Sequence, residues 1–121
     1  MKKIIPTEYD EQVLIFKWAA FFEKKYPMLK YLYSSLSGVW LPDKLAWKIK
    51  KSGHKKGIPD IFLPYPSKGY HGLYIEVKRI EGGVLSKDQK EWKEYLNSVN
   101  YLSVVCKGAK EGIETIKKYL D

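Results

Sequence analysis

A single cysteine, Cys106, excludes an internal disulfide in this chain. No apolar stretch approaches the ~20 residues of a membrane span, and the opening MKKIIPTEYDEQ lacks the apolar core of a signal peptide. Repeats, low-complexity tracts and linkers are absent as well. These absences leave one domain over residues 1–121, in a cytoplasmic setting, as the expectation, because domains typically run to ~100–150 residues. Cys106 falls in an apolar run and reads as a buried structural thiol.

What is present supports a packed and basic protein. The composition is 45% hydrophobic and 15% aromatic, enough for a core and too much for a disordered chain. The net charge is +8, from 22 Lys+Arg against 14 Asp+Glu, which favours a polyanionic partner. The excess is concentrated between residues 44 and 56, which hold six lysines and no acid. That run reads either as a solvated helix face with a loop or as a phosphate-contacting patch, with Lys48, Lys51, His54, Lys55 and Lys56 as its candidates. His54 alone reads equally as a solvent-exposed side chain.

Local signals give the order of elements. Residues 8–25 read as a helix capped by Thr7, with acids in its first turn and Pro27 after its end; its wide apolar surface predicts burial on more than one side. Residues 31–35 suit a short strand, and residues 42–52 a second helix closed by Gly53. Residues 61–63 and 73–77 are strand-like runs around the turn-rich PYPSKGYHG, in which His71 reads as structural. Ser86 and Gln89 form a capping box that starts a helix to about residue 97. Residues 101–106 form a further strand, and residues 109–120 a last helix with Ile113, Ile116 and Leu120 along one stripe. The fold class is α/β, a central mixed β-sheet flanked by α-helices, in which the strand after the 86–97 helix joins in parallel through a right-handed crossover.

The chemistry concentrates between residues 57 and 78, GIPDIFLPYPSKGYHGLYIEVK. Alternation along the second strand puts Tyr74, Glu76 and Lys78 on one face and Leu73, Ile75 and Val77 on the other. A hairpin symmetric about Lys68 sets Asp60 opposite Glu76, and directly opposed side chains have Cβ atoms ~4.5–5.5 Å apart. Two carboxylates so close repel unless a cation lies between them. Magnesium suits such a pair, since it commonly takes one or two carboxylates together with water and phosphate oxygens. Lys78 would orient an attacking water or meet the charge developing on phosphate. A plain surface hairpin with a Glu–Lys pair is the competing account.

Pro59-Asp60 and Glu76-Val77-Lys78 resemble the signature of the PD-(D/E)xK nuclease superfamily, with its restriction-endonuclease-like core. More narrowly, TEYDEQVLIFKWAAFFEKKYP, KKSGHKKGIPDIFLP, GYHGLYIEVKRIEGGVLSKDQKEWKEYL and YLSVVCKGAKEGIETIKKYL are similar to a stand-alone VRR-NUC domain of phage or prophage type. The resemblance implies Mg²⁺- or Mn²⁺-dependent, often structure-selective cleavage of DNA in a bacterial host cell, with Holliday junctions and flaps as substrates. It implies Asp60 and Glu76 as metal ligands, the Val77 carbonyl as a further ligand and Lys78 as the catalytic lysine. It also implies an acid on the first helix: Glu8, which shares a helix face with Gln12, with Glu11 as the competitor. Gln89 matches a recurrent glutamine whose place is beside the site, although the capping box already accounts for it.

Ser37-Gly38 stands where related sequences often have Asn-Gly. Trp40, Trp47, Tyr65 and Tyr70 are candidates for stacking on unpaired bases, core or interface packing being the alternative for the tryptophans. A resolvase that cuts two strands symmetrically is expected to be a homodimer. A flap or nicking nuclease acting as a monomer or within a larger complex, an RNA-directed domain and a catalytically inactive DNA-binding module are the competing readings.

Overall fold

A computed structural model describes residues 4–35 and 39–121; the Ser37-Gly38 departure lies outside them. In chain order the elements are α1 (Glu8–Phe21), a 3-10 helix (Pro27–Tyr31), β1 (Tyr33–Ser34), α2 (Asp43–Lys51), β2 (Ile61–Leu63), β3 (Leu73–Lys78), α3 (Lys87–Ser98), β4 (Leu102–Lys107) and α4 (Ala109–Leu120). The four strands form one mixed sheet in the order β1-β2-β3-β4. β1, β2 and β3 are antiparallel neighbours, and β4 lies parallel to β3 across the α3 connection.

Local chemistry explains the helix starts. Thr7 accepts the Asp10 N–H at 3.1 Å and Asp10 accepts the Thr7 N–H at 3.3 Å, a reciprocal cap that satisfies two otherwise orphaned donors. α1 is shorter than its sequence suggests. It stops at Phe21, and the chain turns through hydrogen bonds from the Lys25 and Tyr26 N–H groups to the Phe22 carbonyl before Pro27 opens the 3-10 helix. Proline disfavours helical backbone in the residue before it, and the turn lets Tyr26, Leu29 and Leu32 reach the core.

The interior lies on one face of the sheet. Ile61, Leu63, Leu73, Ile75, Val77 and Cys106 pack there against Ile15 and Ala19 of α1 and Ile116 and Tyr119 of α4. The wide apolar surface of α1 therefore has a different origin from the expected two-sided burial. Only the Glu11–Ile15–Ala19 stripe is buried, while Tyr9, Leu14 and Phe21 are exposed. In α4 the buried residues are Ala109, Gly112, Ile116 and Tyr119, with Ile113 and Leu120 half-buried beside them. Cys106 is buried and free, as its apolar run predicted, and burial pushes its thiol pKa up.

α3 lies against β4. Its N-terminus is a second reciprocal cap, Ser86 with Gln89, and its Asn97 side chain bonds both the N–H and the carbonyl of Ser103. Among the described residues no helix of the molecule is long and apolar enough to cross a membrane.

Candidate active site

The hairpin loop fixes the site's register. Ser67 and Tyr70 pair across a two-residue turn in which Lys68 and Gly69 both have positive φ, 51° and 85°; such a turn matches the twist of antiparallel strands. Ile61 then faces Ile75, Phe62 faces Tyr74 and Leu63 faces Leu73. One step further, beyond the end of β2, the same register sets Asp60 opposite Glu76.

Several bonds hold Asp60 there. The Ser35 N–H donates to its carbonyl at 2.8 Å, and the Ser35 hydroxyl donates to the Pro59 carbonyl at 3.0 Å. The Asp60 Oδ2 accepts the Val77 N–H at 2.8 Å. Within a strand the N–H and C=O of one residue point to the same side, so the Val77 carbonyl projects toward the edge that carries Asp60. The Ser35 contacts were not legible in the sequence, because β1 reaches β2 from a distant part of the chain.

Glu76 and Lys78 are 5% and 6% exposed. Glu76 Oε1 has no hydrogen-bond partner, and Oε2 stands 4.0 Å from the Lys78 ammonium. Burial, then the adjoining Asp60 carboxyl, then the Glu8 charge push the Glu76 pKa up to about 9, with Lys78 pulling the other way. The Lys78 ammonium donates to Gln89 Oε1 at 3.0 Å, and that same oxygen accepts the Ser86 N–H at 2.9 Å. Gln89 thus caps α3, as its spacing suggested, and holds the lysine at once, in the place beside the site that the family resemblance implied.

These residues open into a cavity of about 520 Å³ lined by Glu8, Ala46, Lys50, His54, Lys56, Gly57, Asp60, Glu76, Ser86 and Gln89. Its lining combines acidic side chains, Glu8, Asp60 and Glu76, with basic ones, Lys50, His54 and Lys56. Of the two acids proposed on the first helix, Glu8 enters this cavity. Glu11 is buried against Gly108, at the N-terminus of α4, where the helix dipole favours an anion. Gln12, expected to approach the site with Glu8, instead lines a separate hollow with Tyr9 and Phe16.

The basic lining also differs in detail from the expected patch. Lys50, His54 and Lys56 line the cavity. Lys48 lies with Trp47 and Leu45 on another side of α2, Lys51 sits over the Trp47 ring at 4.5 Å, and Lys55 is exposed. Lys50 follows Ala46 by one helical turn, a signal readable in the sequence only once the inward side of α2 is known. Trp40 and Trp47 are 83% and 63% exposed, so neither is a core residue. Tyr70 packs against the core, while Tyr65 gives its carbonyl to the Tyr119 hydroxyl. His71 bonds the Asn100 carbonyl through its backbone N–H, and its ring meets Tyr101 edge-on.

Gly57 holds the basic loop against α3. Its φ is +90°, and a Cβ there would stand 2.6 Å from the Asp88 backbone. Trp92 donates its ring N–H to the Lys56 carbonyl at 3.1 Å from the same side.

The donor set fits a hard divalent cation. Two adjoining carboxylates, one with a buried oxygen lacking any partner, are costly without a positive charge between them. Among the described residues no group of three or more His, Cys, Asp or Glu side chains gathers as a metal cage. Magnesium commonly needs only one or two protein carboxylates, the remaining positions being water and phosphate oxygens.

Comparison with known proteins bears on this arrangement. The family model described as "VRR-NUC domain" matches residues 7–110. A solved structure described as "VRR_NUC domain protein" aligns with a TM-score of 0.80 at 31% identity, covering 99% of this chain and 91% of the other. Comparison with curated proteins returns no match.

Proposed function

The chain belongs to the VRR-NUC domain family, whose members are nuclease-type, nucleic-acid-processing domains, and from that premise we propose that it is an Mg²⁺- or Mn²⁺-dependent endodeoxyribonuclease. The observation that carries this reading is the Asp60–Glu76 pair, with Glu76 buried and its Oε1 unpartnered, lining a cavity together with Lys50, His54 and Lys56. When bound there, a divalent cation supplies Lewis acidity to a phosphodiester and lowers the pKa of water.

The protein's own groups have distinct tasks in this reading. Asp60, Glu76 and the Val77 carbonyl would hold the cation, and Glu8 of α1 lines the same cavity. Lys78, fixed by Gln89, directs its ammonium toward the attacking water and the charge that develops on phosphate. Lys50, His54 and Lys56 bind the strand's phosphates across the cavity, and the further lysines of residues 44–56 add long-range attraction. The finer proposal is a structure-selective enzyme of Holliday-junction-resolvase type, acting as a homodimer whose two sites cut symmetric strands.

Incubating the protein with four-way junctions, flaps and linear duplex, each with Mg²⁺, Mn²⁺ or EDTA, tests both levels. Metal-dependent, symmetric nicks in the junction are expected, along with their loss in Asp60→Asn and Glu76→Gln. Activity that survives either substitution would overturn the site assignment. Flap cleavage by a protein that sediments as a monomer would replace the resolvase reading with that of a flap nuclease. Metal-independent DNA binding without cleavage would leave a DNA-binding module.

A further inference from the structure

The sheet face that carries Glu76 and Lys78 also carries a row of aromatic rings, one contributed from each strand or its immediate flank. Tyr33 of β1 pairs with Phe62 of β2, Phe62 pairs with Tyr74 of β3, and Tyr74 pairs with Ser103, two residues beyond Tyr101. Directly opposed residues share a face, so Tyr33, Phe62 and Tyr74 form one rung, and Tyr101 adjoins it diagonally. Their contacts follow that order: Tyr33–Phe62 at 5.8 Å, Phe62–Tyr74 at 4.2 Å and Tyr74–Tyr101 at 5.4 Å between centroids. The inner pair is stacked, whereas Tyr33 and Tyr101 stand steeply to it, at 86° and 68°.

This row is not part of the core, which occupies the opposite face. Phe62, Tyr74 and Tyr101 are partly exposed and Tyr33 is 55% exposed. α3 packs on β4 and reaches β3 on this side through the Gln89–Lys78 hydrogen bond. The rung is the neighbour of the Asp60–Glu76 rung. Two residues of strand separate them, about 7 Å.

We propose that this aromatic row is a base-stacking subsite for an unpaired DNA strand adjoining the phosphate held at Asp60 and Glu76. The inference deepens the nuclease reading by naming the kind of strand the site accepts. Rings rather than aliphatic side chains fill the row, and every base offers a π-face to an aromatic ring. A duplex hides its base faces within its own stack, so it gains little from such a surface. Continuity with the acidic pair gives the strand a path: its phosphates meet the cavity's basic side chains while the next bases lie across the rings.

Binding in EDTA separates this idea from catalysis. The probes are a fluorescein-labelled oligothymidylate, the same strand with abasic nucleotides, a duplex of equal length and an oligouridylate. The proteins are wild type, Tyr33→Leu and Tyr74→Leu, each checked by thermal melting. Wild type is expected to bind oligothymidylate more tightly than duplex. Tyr33→Leu, on the exposed edge, should weaken that binding about 5-fold or more while leaving duplex binding unchanged. The abasic strand should show the same loss with wild type and no further loss with Tyr33→Leu, a non-additivity that a purely structural role would not produce.

Equal affinity for duplex and single strand, or an equal loss in the variants on the abasic strand, would overturn the proposal. So would tighter binding of oligouridylate, or conversion of a dimer to a monomer by Tyr33→Leu with unchanged oligothymidylate binding, which would give the face to a second copy. Single-strand stacking without any metal-dependent cleavage would keep this subsite and remove the nuclease reading; cleavage without stacking would do the reverse.

Discussion

The two faces of β3 differ although their residues alternate along one strand. Leu73, Ile75 and Val77 are fully buried among other apolar side chains. On the other face Tyr74, Glu76 and Lys78 follow the same spacing, yet the last two are buried polar groups, and one carboxyl oxygen of Glu76 lacks a partner. Burial on the first face stabilises the fold by ~1.5–3 kcal/mol for each large side chain. On the second face, burial of Glu76 beside Asp60 costs free energy that nothing within the protein fully returns. A strand can therefore carry stability on one side and stored electrostatic cost on the other, and the cost falls on the side to which the proposed chemistry is assigned.

Substitutions should separate the two faces. Ile75→Ala is expected to lower stability by ~2–5 kcal/mol, measured by denaturant unfolding, with activity lost only as the fold is lost. Glu76→Gln should do the opposite: metal-dependent cleavage falls by at least ~100-fold, while the metal-free protein melts at the same or a higher temperature. A Glu76→Gln variant as unstable as Ile75→Ala would erase the distinction. Between these, Gly57→Ala should cost at least ~1–3 kcal/mol, because it combines a left-handed backbone with a clash against Asp88. Its cleavage should weaken through displacement of Lys56.

A pH series gives the smallest and most selective effect. The folded-state pKa of Glu76 lies above its unfolded value of ~4.3, at about 9. The group's contribution to stability is therefore complete below ~4.3 and is lost as pH rises toward about 9. The metal-free wild type should show a melting temperature that declines across this window, beyond any decline in Glu76→Gln. Saturating Mg²⁺ should reduce the difference. Parallel curves for the two proteins would show that Glu76 is ionised in the metal-free fold.

Much of this contrast was legible along the chain. The turn about Lys68, the alternation of β3 and the Ser86–Gln89 cap are local signals, and together they anticipate the register that brings Asp60 to Glu76. The α/β fold, with β4 parallel to β3 through α3, follows from the same order of elements. What escaped depends on long-range assembly. Glu8 was favoured over Glu11 from the sequence, but the reason Glu11 is excluded, that α4 begins beside it, appears only in the fold. Lys50 was missed because the side of α2 that faces the cavity is known only once the helix is placed. The aromatic row was invisible because Tyr33 meets Phe62 only after β1 joins the edge of β2.

One oxygen, Gln89 Oε1, accepts both the Ser86 N–H at the start of α3 and the Lys78 ammonium. Fraying of that helix end and release of the lysine are therefore one event. Helix ends open far more often than cores, so the lysine's readiness is timed by the breathing of a single helical turn. Hydrogen exchange at the first amides of α3 would therefore report how often Lys78 is released, and whatever steadies that turn sets its rate.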